Sequence, residues 1–261
     1  MKTGVRGPGS GVRGPSPVLE NGTRPRQGIT SVNFAENLEG VRARIGAACA
    51  RVARDPASVR IVAVSKTQPA TAVVEAIAAG ADAIGENRVQ EAATKRPLIG
   101  GATLWHLIGP LQRNKAKMAL DLFDVVETVD RHEIADRLEV LLAPSARVLP
   151  VFVEVNVGGE AQKSGVDAAG TPALVAHVLE SCPHLELCGL MTVPPYDPDP
   201  GRSRPHFAEL RRIAGEIAGC FGLPALGLSM GMSEDFEVAI EEGATVVRLG
   251  RILFGERRSG P

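Results

Sequence analysis

Several signals that would fix a function early are missing from this chain of 261 residues. Its four cysteines, Cys49, Cys182, Cys188 and Cys220, show no CxxC spacing and sit in apolar or helical contexts, so they read as reduced packing residues. The five histidines are scattered and none pairs at an HExxH-like interval, so no metal site is expected. With 29 basic against 30 acidic residues there is no global field to attract nucleic acid or an anionic membrane, and neither partner is expected. No apolar run approaches the roughly 18 residues of a membrane span, and the first residues lack the apolar core of a signal peptide. A cytoplasmic protein is expected.

The first 33 residues are crowded with Gly, Pro and Arg and poor in apolar residues, a composition that predicts a disordered tail. Within it, Gly9-Ser10-Gly11-Val12-Arg13-Gly14 matches the GxGxxG dinucleotide fingerprint. The match reads as accidental, because no strand delivers these glycines to a helix and prolines surround them.

From Phe34 onward the pattern is regular. A helix over about 33–54 precedes repeated units of one short apolar strand and one helix. Strands are predicted over 60–65, 81–84, 104–108, 124–128, 148–155, 186–192, 226–229 and 245–249, with helices near 70–80, 88–96, 112–121, 131–142, 171–181, 204–219 and 234–242. Such alternation builds a parallel sheet with right-handed crossovers. Eight units close as a (β/α)8 TIM barrel, and the chain from 34 to 261 suits a single barrel domain with an additional N-terminal helix. An open doubly wound sheet would ordinarily carry a glycine loop after its first strand, where this chain has Ser65-Lys66-Thr67.

Barrel enzymes place their chemistry at the carboxyl ends of strands. The run "RIVAVSKTQPA" puts Lys66 at the end of the first strand, and "GENRVQE" puts Asn87, an amide that donates and accepts, after the second. After the seventh comes "SMGMSED", with hydroxyls at Ser229 and Ser233 and a flexible backbone at Gly231. Ser233 is placed to start the following helix at Glu234-Asp235-Phe236. The eighth strand holds Arg248 before Gly250 and Arg251. Phosphorylated ligands of barrels usually sit at loops seven and eight. A lysine facing such a cradle suits either attack on a sugar-phosphate carbonyl or a Schiff base with pyridoxal 5′-phosphate (PLP). A fixed cation at Arg248 could face the pyridine nitrogen and weaken the ring as an electron sink, which favours PLP without aminotransferase-type chemistry.

The segments "AVSKTQPA", "GENRVQE", "WHLIGPLQRNK", "GLMTVPP" and "LSMGMSEDFEVAIEEGATVVRLGRILFG", in this order, resemble the YggS/PROSC family of pyridoxal phosphate homeostasis proteins over about 33–257. The resemblance implies a barrel like the amino-terminal domain of alanine racemase, PLP on Lys66, Arg248 by the pyridine nitrogen, and Ser233, Gly250 and Arg251 at the phosphate. Two positions depart from the family pattern: Arg88 stands where tyrosine often follows GEN, and Arg251 where a small residue often follows the last glycine.

The remaining chemistry-bearing residues have plainer readings. His106, beside the only tryptophan, reads as a packed, hydrogen-bonded histidine; Lys163 as a surface lysine in a glycine-rich loop; Glu241-Glu242 as a solvated helix end. A two-base racemase needs a second proton-transfer group opposite the lysine, and the sole tyrosine, Tyr196, stands in the proline-rich loop "PPYDPDP". The chain is also expected to end where the barrel ends. A cofactor buffer or carrier, monomeric and passing PLP to PLP-dependent apo-enzymes, is therefore favoured over a PLP-dependent amino-acid racemase, with a PLP-free aldolase third.

Overall fold

The computed structural model describes residues 33–255 except 146 and 161, together with residues 1 and 4. Apart from residues 1, 4 and 33, the predicted tail and its glycine pattern lie outside the described residues. The chain runs α1 (Phe34–Arg51), β1 (Arg60–Val64), α2 (Ala70–Ala78), β2 (Ala83–Glu86), α3 (Val89–Lys95), β3 (Leu104–Leu107), α4 (Ala116–Leu122), β4 (Val125–Val129), α5 (His132–Leu142), β5 (Leu149–Glu154), α6 (Thr171–Ser181), β6 (Leu185–Met191), α7 (Arg204–Phe221), β7 (Gly227–Ser229), α8 (Phe236–Glu241), β8 (Val246–Leu249) and α9 (Arg251–Phe254). The strands pair in parallel in chain order, and β1 pairs β8 with Ile61 opposite Val247 and Val62 opposite Arg248. The predicted (β/α)8 barrel with its extra N-terminal helix is therefore the observed fold.

Successive side chains of a strand alternate between barrel interior and helical layer. The larger core cluster, including Ile61, Ala63, Ile84, Trp105, Val126 and Val247, packs the outward residues against the helices. A smaller cluster of Val62, Ala83, Val125, Phe152, Met191 and Val246 fills the interior. Two residues further along three of those strands the inward position turns polar: Glu127 on β4, Glu154 on β5 and Arg248 on β8 are all buried. The barrel is thus apolar at its floor and polar toward the carboxyl ends of its strands.

Asn33 caps α1 by accepting from Glu36 N at 3.4 Å. The helix buries Phe34, Leu38, Val41, Ile45 and Cys49, an i, i+4, i+7 stripe. Phe34 meets Phe254 of α9 with ring centroids 4.9 Å apart, and the Arg44 guanidinium lies 4.6 Å from the Phe236 ring centroid on α8. Through α8 and α9 this helix braces the seventh and eighth units, where the site is built.

Most boundaries shift by one to three residues from the sequence reading, and the short α9 was not anticipated; three of the differences have a local cause. The strand predicted over 81–84 begins at Ala83, because Asp82 turns its carboxylate to accept from Ile61 N at 2.8 Å. The helix predicted over 112–121 opens with a 3₁₀ turn, Arg113–Lys115, before α4. The helix predicted from 234 begins at Phe236, since Asp235 is non-helical at φ −127° and its carboxylate accepts from Met232 N at 2.7 Å. Ser233 therefore does not start that helix. The Glu241-Glu242 pair is not a solvated face either: Glu241 pairs with Arg51 and Arg204, and buried Glu242 with Arg204 and Arg211. These ions tie α1 and α7 to the end of α8.

Candidate functional site

Beyond β1, Ser65 O accepts from Gln68 N at 3.0 Å and closes a turn with Lys66 and Thr67 at its centre. Thr67 adopts φ 66°, left-handed backbone that costs a β-branched residue about 1–3 kcal/mol and persists only where neighbours enforce it. They do so here. Thr67 N donates to Glu91 Oε2 at 2.9 Å, Lys95 Nζ to Ser65 O at 2.7 Å, and Ser65 Oγ to Glu86 Oε1 at 2.6 Å. Lys95 also donates to Glu86 Oε1 at 2.6 Å, and both side chains are buried. Burial pushes the Glu86 carboxyl above its ordinary range, against the hydrogen bonds and charge supplied by Lys95 and Ser65. Half-buried Lys66 is thereby presented from a turn clamped on its helical side by α3.

Asn87 follows β2, and its backbone runs close under Gly109: a Cβ on Gly109 would stand 2.3 Å from Asn87 O. Only glycine permits that approach. Thr128 Oγ1 holds the same loop by donating to Gly109 O at 2.9 Å.

Arg248 is buried on β8. It donates from Nη1 to Ser229 Oγ at 2.6 Å and from Nη2 to Thr192 O at 2.7 Å, while Ser229 Oγ donates onward to Glu127 Oε2. The other Glu127 oxygen lies 2.5 Å from His106 Nδ1. Burial alone would raise the Glu127 carboxyl, but the His106 bond and charge, with Arg248 and Ser229, reverse this and hold it below its usual value. Burial lowers the Arg248 pKa, opposed by Glu127, Glu154 and Asp235, and an arginine stays protonated in any case. His106 is packed and hydrogen-bonded, as the sequence reading had it.

Lys66, Asn87, Ser233, Arg248, Gly250 and Arg251 all line one cavity of about 660 Å³ at the carboxyl ends of the strands. Ser229 does not line it; its hydroxyl is spent between Arg248 and Glu127. Arg251 brings less free charge than expected, because its guanidinium pairs with Glu234. Gly231, at φ +94°, serves helix packing: a Cβ there would meet Ala239 Cβ at 2.6 Å and Phe236 Cα at 2.9 Å. Among the described residues the backbone N–H groups of Ser233, Glu234 and Arg251 donate to no protein acceptor, and all three residues line the cavity. Lys163 stays outside it, donating to Pro194 O at 3.0 Å and pairing with Glu160. Tyr196, by contrast, lines the cavity although it is 79% exposed.

Glu154 was not anticipated. Among the described residues its Oε2 is buried with no hydrogen-bond partner, and burial first, then the charge of Asp130, push its carboxyl up to about 7 against the pull of Arg248. A carboxyl raised in the fold binds more protons than the unfolded chain between its ordinary value of 4.5 and about 7, so stability falls as pH rises through that window. Glu154→Gln is expected to remove the slope. Urea denaturation without added ligand should find the variant gaining about 2.5 kcal/mol on wild type between pH 5 and pH 8. Parallel stability curves would contradict the assignment.

Residues 36–258 match the family described as alanine racemase, N-terminal domain. A pyridoxal phosphate homeostasis protein of Pseudomonas aeruginosa is 46% identical over 230 residues, covering 87% of this chain and 97% of that one. The chain belongs to this family. A second member with the same description, from Aquifex aeolicus, is 41% identical over 87% of this chain and 100% of its own. Among solved structures, PipY of Synechococcus elongatus PCC7942, determined with PLP bound, has 34% identity and a TM-score of 0.74, covering 85% of this chain and all of that one. The family's barrel thus accounts for the parallel closed sheet, and the cavity occupies the end of the barrel where such folds carry their chemistry.

Proposed function

We propose that the protein binds PLP in this cavity, covalently through Lys66, and serves PLP homeostasis by holding the cofactor and giving it up. The observation that carries the reading is the convergence of one primary amine, Lys66, with hydroxyl and backbone donors at Ser233, Glu234 and Arg251 on a single wall-lined volume of about 660 Å³. That volume is within the range of small-molecule sites. The donor set fits a phosphorylated aldehyde: an amine for the carbonyl, and neutral donors for the dianion in place of the Arg251 charge already taken by Glu234. Membership of a family whose relatives are named for PLP homeostasis supports the same ligand.

Bound PLP supplies an aldehyde and an electron-accepting ring. The rest belongs to the chain. The Ser65–Gln68 turn fixes where the Lys66 amine stands. Arg248, locked by Ser229 and Thr192, offers only donors, so a ring nitrogen beside it would remain an acceptor and the ring a weak electron sink. Ser233, Gly250 and Arg251 line the phosphate end and Asn87 the ring side. We place the protein in the cytoplasm, as a monomer that passes PLP to PLP-dependent apo-enzymes. The cysteines Cys49, Cys182, Cys188 and Cys220, all unpaired, agree with a reducing compartment, and no helix among the described residues is long and apolar enough to cross a membrane.

One observation favours a second reading. Tyr196 lines the same cavity as Lys66, which gives a racemase-like reaction on an amino acid a second group able to move a proton. The test pairs two assays on the PLP-loaded protein: deuterium exchange at the α-carbon of the common amino acids, and transfer of PLP to an apo-enzyme. Transfer with negligible exchange is expected. Rapid exchange that Tyr196→Phe and Lys66→Ala each abolish would establish the racemase-like enzyme instead.

A further inference from the structure

The outer helical layer carries a cluster that no interval motif announces. Asp136 on α5, His177 on α6 and Cys182 just after α6 place one ligand atom each within 4.8 Å of the others. We propose that these three residues bind a zinc-class divalent cation, at a site separate from the cavity that Lys66 lines.

The donor set is one imidazole, one carboxylate and one thiol, which suits Zn²⁺ over the oxygen-seeking Ca²⁺ and Mg²⁺. Bonds of about 2.0–2.3 Å to a tetrahedral ion require ligand atoms about 3.3–3.8 Å apart. His177 Nε2 and Asp136 Oδ1 now lie 2.6 Å apart, so the pair opens by less than about 1 Å to admit the ion. Cys182 closes the site from inside and is fully buried, whereas Asp136 is exposed. The fourth position falls to water or to the exposed ring of His132, one helical turn before Asp136, whose centroid lies 4.7 Å from that of His177. The expected absence of a metal site rested on spacing along the chain; here Asp136 and His177 are 41 residues apart and meet only because α5 packs beside α6.

A bound dication would stabilise the Cys182 thiolate. Of the α5 carboxylates Asp136 and Glu139, the latter is already held by His184 Nδ1 at 2.6 Å, which leaves Asp136 as the ligand. On binding, the thiol proton leaves to solvent and the sulfur lone pair goes to the metal, so uptake strengthens as pH rises.

The probe is Co²⁺, whose thiolate complexes absorb in the near ultraviolet, added to the purified full-length protein and then displaced by Zn²⁺. A thiolate-to-cobalt band at one equivalent is expected, lost on adding Zn²⁺, with thermal unfolding shifted upward by Zn²⁺ and restored by a chelator. His177→Ala, a change on the outer layer, and Cys182→Ser should each remove the band and weaken Zn²⁺ by at least about tenfold, the loss expected even of an outer partner. No band with wild-type protein, or a band that persists in His177→Ala, would overturn the site.

Discussion

Lys66→Ala is expected to abolish covalent retention of PLP while leaving the fold intact. Lys66 stands half-buried at the mouth of the barrel, outside both hydrophobic clusters, so its truncation opens no core cavity. Stability in urea should change by less than about 1 kcal/mol. The donors at Ser233, Glu234 and Arg251 remain, so loose binding persists, but PLP should wash out on gel filtration and borohydride should trap none of it. Retention of a stoichiometric, reducible ligand by the variant would remove Lys66 from the account.

Lys95→Met should give the largest loss of stability of any change near the site. It strips the buried Glu86 carboxylate of its cation and Ser65 O of its donor in one step. Removing one partner of a buried pair costs about 3–5 kcal/mol, because the other charge is left uncompensated. PLP affinity should fall with it, since Lys95 backs the turn that presents Lys66. The double change Lys95→Met with Glu86→Leu should recover most of the stability, which a double-mutant cycle measures, without recovering the affinity. A single-variant loss under about 1 kcal/mol would show that the pair does not clamp the turn.

The repeat of strand and helix was legible because parallel strands buried on both faces read as continuous apolar runs; the runs here are short and most of them carry β-branched residues. Lys66, Asn87, Ser233, Arg248, Gly250 and Arg251 were legible for a related reason: they stand just past or at the end of such runs, where a barrel must place its mouth. Ser229 stands there too, yet which neighbour claims a hydroxyl depends on the inward residues of other strands, and Glu127 and Arg248 claim it. Those inward residues were visible as lone charged letters in apolar runs, Glu127 in "VVETV" and Glu154 in "VFVEV". Taken together with Arg248 in "TVVRL" they mark one polar level of the barrel interior, a pattern that appears only when strands are compared two residues at a time. The clamp on Lys66 was hidden inside a motif already singled out, for "GENRVQE" contains both Glu86 and Glu91, with Lys95 four residues after the latter on α3. Loop path was not legible at all. Nothing in "PPYDPDP" indicates that Tyr196 returns to the cavity, because the path of an irregular segment is set by tertiary packing and not by local periodicity.

The central claim is that Lys66 is the residue through which this cavity holds PLP. The most direct measurement is borohydride reduction of the PLP-loaded wild-type protein, followed by proteolysis and mass-spectrometric location of the fixed pyridoxyl group. One equivalent on the peptide containing Lys66 is the predicted result. A label on Lys95 or Lys163, or no fixed label in protein saturated with PLP, would contradict it.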